Sequence, residues 1–266
     1  MPVFTLLSIS RQKLINWDLT FTYGYCNILH ITYYISLHMI SNTSTELKPF
    51  ALTDWTYHYL KEKILNLELK PGQQINIDEF TEKLEVSRTP IREAFLKLAS
   101  EGLIEVRPRV GYFVVDITEQ DIRDLFEIRE IIETRAAKKA TEFLTDEELE
   151  SMQNLILESQ IAVEEGNFEI YLKNEIQFHE FLQKHIRNKR LISIIEGLND
   201  LTYRERVMST HSIENINQSI IEHQKIMDGL LKRDGNLAEW YMGEHLHNVS
   251  ERLVKHLNEN KSKYKE

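Results

Sequence analysis

Four side chains in the second half of the sequence could share one piece of chemistry. Glu175 and His179 are four residues apart, so a helix would place them on one face, with Ile176 and Leu182 beside them. His223 has Ser219, Ile220, Ile226 and Met227 three and four places away, and His245 has Tyr241, Met242 and Val249, so both turn inward. His247, with Gly243, Glu244, Ser250 and Glu251 at the same spacing, turns to water. Three inward imidazoles and one inward carboxylate form a set that binds a divalent metal, and these ligand types suit Zn, Ni or Mn alike. The competing reading is separate core histidines, each satisfied by its own hydrogen bond.

A second group has a different character. "VSRTPIREAFLKL", residues 86–98, carries two arginines and no acid in its first seven residues, in a chain of net charge −10. Ser87, Thr89 and the free N–H groups of a first helical turn suit phosphate oxygens. Arg88 and Arg92, four apart, offer the donor fork that guanine O6 and N7 accept. A solvated, idle helix face is the alternative for two such arginines.

The elements that must hold these groups can be read from periodicity and punctuation. A first helix is expected from a Thr53 or Asp54 cap, with Trp55, Tyr59, Leu60, Ile64 and Leu67 at helical spacing and Pro71-Gly72 as its stop. "NIDEFTEKLEV" is a short second helix. Ser87 caps a third, which tolerates Pro90 in its first turn, buries Ile91, Phe95 and Leu98, and ends at Gly102. "LIEVRPRVGYFVVDI" holds two β-branched runs around Pro108, Arg109 and Gly111, a hairpin. Three helices and a hairpin make a winged helix-turn-helix, whose third helix fits the DNA major groove while Arg107 and Arg109 of the wing reach the flanking groove or backbone.

After Asp116 the strands stop. Thr118-x-x-Asp121 and Thr145-x-x-Glu148 open helices as capping boxes, and Gly166 and Gly235 fall where helices should end. Six helices are expected, about 118–143, 145–165, 168–186, 189–207, 212–232 and 236–259, joined by short loops into an antiparallel bundle. The fold class is therefore mainly α: an N-terminal winged helix-turn-helix (residues 46–116) and a C-terminal all-α helical bundle (117–266).

Residues 1–45 read differently. Leu19 to Thr45 has no Lys, Arg, Asp or Glu, but Thr, Asn, His, Ser and Gly dilute it and its tyrosines lie mid-segment, so no membrane span is expected. An extension that is disordered, or that precedes a true start at Met39, fits better. One cysteine, Cys26, allows no internal disulfide and fits a cytoplasmic protein. The net charge of −10 argues against coating nucleic acid over the whole surface and permits a local basic contact.

"LKPGQQINIDEFTEKLEVSRTPIREAFLKLASEGLIEVRPRVGYFVV" resembles the DNA-binding domain of the GntR family of bacterial transcription regulators. The resemblance implies that Arg88, Thr89 and Arg92 contact operator DNA and that Gly111 lets the wing approach it. Many relatives carry arginine in the second helix where this chain has Asp78. "LFEIREIIETRAAKKA", "NEIQFHEFLQKHIRNKRL", "IIEHQKIMDGLLKRDGNLA" and "GEHLHNV" are similar to the FCD effector domain of the FadR-type subgroup. That similarity implies a bundle around a ligand cavity and a divalent metal held by Glu175, His179, His223 and His245, with Glu175 where relatives usually have Asp. It also implies that Arg129 meets an effector carboxylate; a surface ion pair with Glu133 is its alternative. The expected function is a cytoplasmic, homodimeric repressor that leaves double-stranded, palindromic operator DNA when a small carboxylate binds. The alternative is a metal-dependent enzyme using the same histidine cluster.

Overall fold

The computed structural model describes residues 49–186 and 188–260, so the expectations for residues 1–45 lie outside the described residues. Helix α1 spans Pro49–Leu65 and buries Thr56, Tyr57, Leu60 and Ile64. It starts before the expected cap. Thr53 and Asp54 sit within it and face the third helix, where the Thr53 hydroxyl donates to Glu93 at 2.9 Å and Asp54 lies 3.7 Å from Lys97. Proline suits a first helical turn, since its missing N–H would be unbonded there in any case. The helix also stops early: Leu67 takes a left-handed φ of 59°, so Pro71-Gly72 ends a turn and not the helix.

A two-residue strand β1, Gln74–Ile75, follows and was not expected. Asn76 caps α2 (Ile77–Leu84) by accepting from the Asp78 N–H at 2.9 Å. Ser87 is the N-cap residue of α3 (Arg88–Ser100), but its hydroxyl makes no capping bond. Ile91, Phe95 and Leu98 are all fully buried on α3, as the periodicity requires. Strands β2 (Ile104–Arg107) and β3 (Gly111–Val114) form the hairpin, and β1 adds to it, giving an antiparallel sheet in the order β1-β3-β2. At the hairpin tip Arg109 has a φ of 64° and Gly111 a φ of 141°. A Cβ on Gly111 would come 3.1 Å from Nε2 at the end of the Gln74 side chain, and the φ of 141° is itself strained for any residue but glycine.

The second half consists of α4 (Glu119–Phe143), α5 (Asp146–Glu164), α6 (Phe168–Gln183), α7 (Lys189–Ser209), α8 (Ile213–Leu231) and α9 (Gly235–Asn260). Both expected capping boxes form, at Thr118 with Asp121 and at Thr145 with Glu148. Gly166, with a φ of 73°, follows the end of α5. Gly235 corrects its expectation: it opens α9, and Arg233, with a φ of 54°, closes α8 instead. Its small size serves packing, because a Cβ there would meet Lys138 and Thr141 of α4 at 3.1 and 3.2 Å. Gly229 is tighter still, since a Cβ would lie 2.6 Å from the Ala238 nitrogen. Those two glycines bring α8 close to α9 and α9 close to α4, which sets the spacing of the side chains they carry inward.

Each half has its own core, one around Phe80, Phe95 and Leu98, the other around Phe126, Phe178 and Met242. The halves meet along α7. Asp200 pairs with Lys61 at 2.6 Å, the Tyr203 hydroxyl donates to Asn66 at 2.9 Å, and Arg204 donates to the Val115 carbonyl at 3.0 Å. Among the described residues no helix is long and apolar enough to cross a membrane.

Candidate functional site

Helix α6 supplies Glu175 and His179, α8 supplies His223 and α9 supplies His245, and the structure brings all four together. One ligand atom from each lies within 4.8 Å of every other. Glu175 Oε1 is 3.3 Å from His179 Nε2, and its Oε2 is 3.4 Å from His223 Nε2. The longer glutamate arm thus spans two of the imidazoles. Phe178 stacks on the His223 ring at 4.3 Å and shields that side.

The hydrogen bonds around the cluster bear on both readings of its histidines. His179 Nδ1 bonds Glu133 Oε2 at 2.5 Å, and His245 Nδ1 bonds Glu222 Oε2 at 2.8 Å. A carboxylate accepting from Nδ1–H assigns the lone pair to Nε2, which points at the shared centre. Those inner atoms are not satisfied by protein: Glu175 Oε2, His179 Nε2 and His223 Nε2 are buried and have no hydrogen-bond partner among the described residues. Of these, His179 Nε2 and Glu175 Oε2 are acceptors, and a buried acceptor without a donor is costly. His179 and His245 each have the bond that the core-histidine reading requires, and a divalent cation would in addition satisfy the inner atoms left over. The residues present fit such an ion.

Protonation points the same way. Burial pushes His223 well below the usual imidazole value, against the pull of Glu175, and burial also lowers His245. Burial opposes ionisation of Glu175, but His223, His179 and Arg206 outweigh it and hold its carboxyl well below the usual range. Burial thus favours the neutral form of His223 and His245, the form in which an imidazole binds metal. The outer carboxylates are themselves braced. Arg129 Nε donates to Glu133 Oε1 at 2.7 Å, and Arg252 holds both oxygens of Glu222 at 2.7 and 2.8 Å. Burial opposes the charge on Glu222, but hydrogen bonds from Arg252 and His245 bring its carboxyl down to about 2.

A cavity opens beside the cluster, lined by Arg129, Tyr171, Glu175, Glu205, Arg206 and His245 among others. Arg129 does form the ion pair with Glu133, but not on the surface: the two residues are 5% and 3% exposed. It both faces the cavity and anchors the carboxylate that orients His179. Glu222, Glu205 and Arg206 were not singled out from sequence, and Glu133 was named only as a surface partner of Arg129. The signal available was thin. Glu133 is one helical turn beyond Arg129, and Glu222 is the neighbour of His223.

In the first half, Ser87, Arg88, Thr89 and Arg92 are all exposed at the start of α3. With Ser87 making no cap, its hydroxyl and the first-turn N–H groups remain available to an anion. Asp78 on α2 is 2.8 Å from Arg88 Nη2, so the residue that departs from the GntR pattern steers an arginine that keeps to it. In the wing Arg107 is bonded to Glu105 at 2.8 Å and lies 4.0 Å from the Phe113 ring centre, while Arg109 is exposed at the tip.

Residues 52–114 match the family described as bacterial regulatory proteins, gntR family, and residues 124–248 match the FCD domain. The chain is 29% identical over 223 residues to the HTH-type transcriptional repressor RspR of Escherichia coli K12, covering 84% of this chain and 98% of that protein. It is 27% identical over 218 residues to the HTH-type transcriptional regulator LutR of Bacillus subtilis, covering 74% and 99%. Among solved structures, Escherichia coli McbR/YncC has a similar fold, with a TM-score of 0.61 at 23% identity over 77% of this chain and 97% of that one. A GntR regulator from Rhodococcus sp. RHA1 gives a TM-score of 0.62 at 19% identity, over 76% and 97%.

Proposed function

Because the chain belongs to the gntR family of bacterial regulatory proteins and carries an FCD domain, it is a transcriptional regulator, and we propose that it is a homodimeric repressor released from double-stranded operator DNA by a small carboxylate. The observation that carries the ligand-responsive part is the set of buried ligand atoms on Glu175, His179 and His223 that have no hydrogen-bond partner among the described residues, beside a cavity lined by Glu175, His245, Arg129 and Arg206. A divalent ion bound there (Zn, Ni or Mn) would supply a Lewis-acidic position for one effector oxygen. Arg129 and Arg206 give the cavity positive charge for the carboxylate, and burial strengthens that attraction. At the other end, Arg88 and Arg92 read bases, Ser87 and Thr89 hold phosphate, and the wing residues Arg107, Arg109 and Gly111 follow the adjoining backbone.

The two ends communicate through α7. Its Glu205, Arg206 and Ser209 line the cavity, while its Asp200, Tyr203 and Arg204 bond to the DNA-binding half. A ligand that shifts α7 changes how that half is held, to the extent that its affinity differs between the two arrangements.

The test is elemental analysis of purified protein, with melting in the presence and absence of chelator, followed by operator binding across a panel of small carboxylates. About one divalent ion per chain, a lower melting temperature on chelation, and carboxylate-dependent release from operator are expected. Metal-free protein that responds fully to a carboxylate would reject the metal centre. Turnover of a carboxylate by the metal-loaded protein would favour the enzyme alternative.

A further inference from the structure

Glu205 is a buried carboxyl with no role in the metal cluster or in the joint between the halves. It is 4% exposed, and its Oε2 is buried with no hydrogen-bond partner among the described residues. Two other buried carboxyls are satisfied, Glu133 by Arg129 and His179, and Glu222 by Arg252, His245 and Asn248, while the orphaned oxygen of Glu175 belongs to the metal cluster. A buried oxygen left unbonded costs stability, so the orphan calls for a partner that arrives from outside. Glu205 lines the same cavity as Arg129, Arg206, Tyr171 and His245, which is where such a partner would sit.

We propose that Glu205 is a specificity-determining residue of the effector cavity, taking a neutral hydroxyl on the part of the effector remote from its carboxylate. This rests on the carboxylate-effector reading above. The choice of a hydroxyl follows from the charges around it. An ammonium group would enter a space already faced by the guanidiniums of Arg129 and Arg206. A second carboxylate would meet the carboxyls of Glu175 and Glu205, which line the same cavity. A hydroxyl brings no charge and both donates and accepts. Burial raises the Glu205 carboxyl to about 8, so at neutral pH it too can donate and accept.

Zn-saturated protein titrated calorimetrically with butyrate, 3-hydroxybutyrate, 4-hydroxybutyrate, 4-aminobutyrate and succinate tests the assignment. These acids share a four-carbon chain and differ in what the remote position offers. One of the hydroxybutyrates should bind at least about fivefold more tightly than butyrate, the gain from one added hydrogen bond. In Glu205→Leu the ratio of hydroxybutyrate to butyrate affinity should fall to about one, and Glu205→Gln, which still donates and accepts, should keep part of the preference. Glu205→Leu should also melt no lower than wild type, since it removes an unbonded oxygen, which checks that the variant is folded. A hydroxyl preference that survives in Glu205→Leu, or equal binding of butyrate and both hydroxybutyrates, would overturn the role of Glu205. Tightest binding by 4-aminobutyrate or succinate would overturn the choice of hydroxyl. Failure of all five acids to bind would overturn the carboxylate reading itself, and this inference with it.

Discussion

Replacing Glu133 by Gln should damage the protein twice, for separable reasons. Glu133 is buried between the Arg129 guanidinium at 2.7 Å and His179 Nδ1 at 2.5 Å, and among the described residues no other carboxylate lies within ion-pair distance of Arg129. Removing one partner of a buried pair typically costs about 3–5 kcal/mol, because the remaining charge stays buried without compensation. Glutamine keeps the shape and one acceptor oxygen, so the lower end, about 3 kcal/mol, is expected. For a protein of this size about 1 kcal/mol moves the melting midpoint by roughly 2–4 °C, which gives a fall of about 6–12 °C by calorimetry. The control is Glu142→Gln, whose pair with Lys139 is half exposed and should matter by no more than about 0.5 kcal/mol.

The second effect is on metal affinity. His179 would lose the ionised acceptor that fixes its ring, which should weaken binding about 10–100-fold in competition with a fluorescent zinc chelator. Burial opposes ionisation of Glu133, but Arg129 and His179 hold its carboxyl far below the usual range. A depressed folded value means its stabilising contribution is present above the unfolded value and lost only as the pH falls through the folded one. The melting gap between wild type and Glu133→Gln should therefore stay constant from pH 7 to 5 and close only in strong acid. The double change Arg129→Met with Glu133→Leu removes both charges and should be less destabilised than Glu133→Gln alone. A single variant that melts within about 2 °C of wild type, or a double variant worse than the single, would refute the buried-pair argument.

The other expectations concern different parts of the molecule. Arg88→Ala and Arg92→Ala should each cost about 1–3 kcal/mol of operator affinity and relax preference at one position; equal losses on random DNA would make them phosphate contacts, and unchanged binding would remove them from the interface. Asp78→Asn releases Arg88 and should narrow the ratio of specific to random binding, measured by anisotropy on both DNAs. His223→Ala should abolish both metal retention and carboxylate response while sparing basal operator binding, and His247→Ala, exposed on α9, should leave all three intact. Glu205 has the opposite pH sign to Glu133. Burial raises its carboxyl to about 8, so its protonated form favours the fold below about 4.5 and that contribution is lost as the pH rises toward 8. Wild type should gain stability relative to Glu205→Gln between pH 8 and 5, and parallel curves would contradict the burial of that side chain.

What could be read from the sequence was what repeats or punctuates. The six bundle helices fall within a few residues of their expected limits because Thr118 and Thr145 announce themselves through partners three residues on. The four clustered residues follow from their apolar neighbours on single helices. What could not be read depends on contacts between elements. Nothing near Glu133 indicates that it meets His179, 46 residues away, since that bond exists only once α4 packs on α6. Strand β1 is too short to show an alternation and is defined by β3. Thr53 and Asp54 look like caps because their side chains usually are, yet here they turn to α3. Gly235 punctuates like a helix end, but its reason is the approach of α4, which no local pattern records.

The joint along α7 has a mechanical consequence. It is made mainly of polar contacts, to Lys61, Asn66 and the Val115 carbonyl, with Leu67 as an apolar contribution from the first half to the bundle core. Each such contact has a net value of about 0.5–1.5 kcal/mol, so three of them amount to a few kcal/mol. That is the scale of the coupling free energy, about 1–3 kcal/mol, that a small ligand can exert at a distance. A seam of interlocked leucines would be too stiff for so weak a lever, and a bare linker would transmit nothing. Under the proposed function, a seam of that strength lets a ligand re-aim the DNA-binding half while the cores around Phe95 and Phe178 stay as they are.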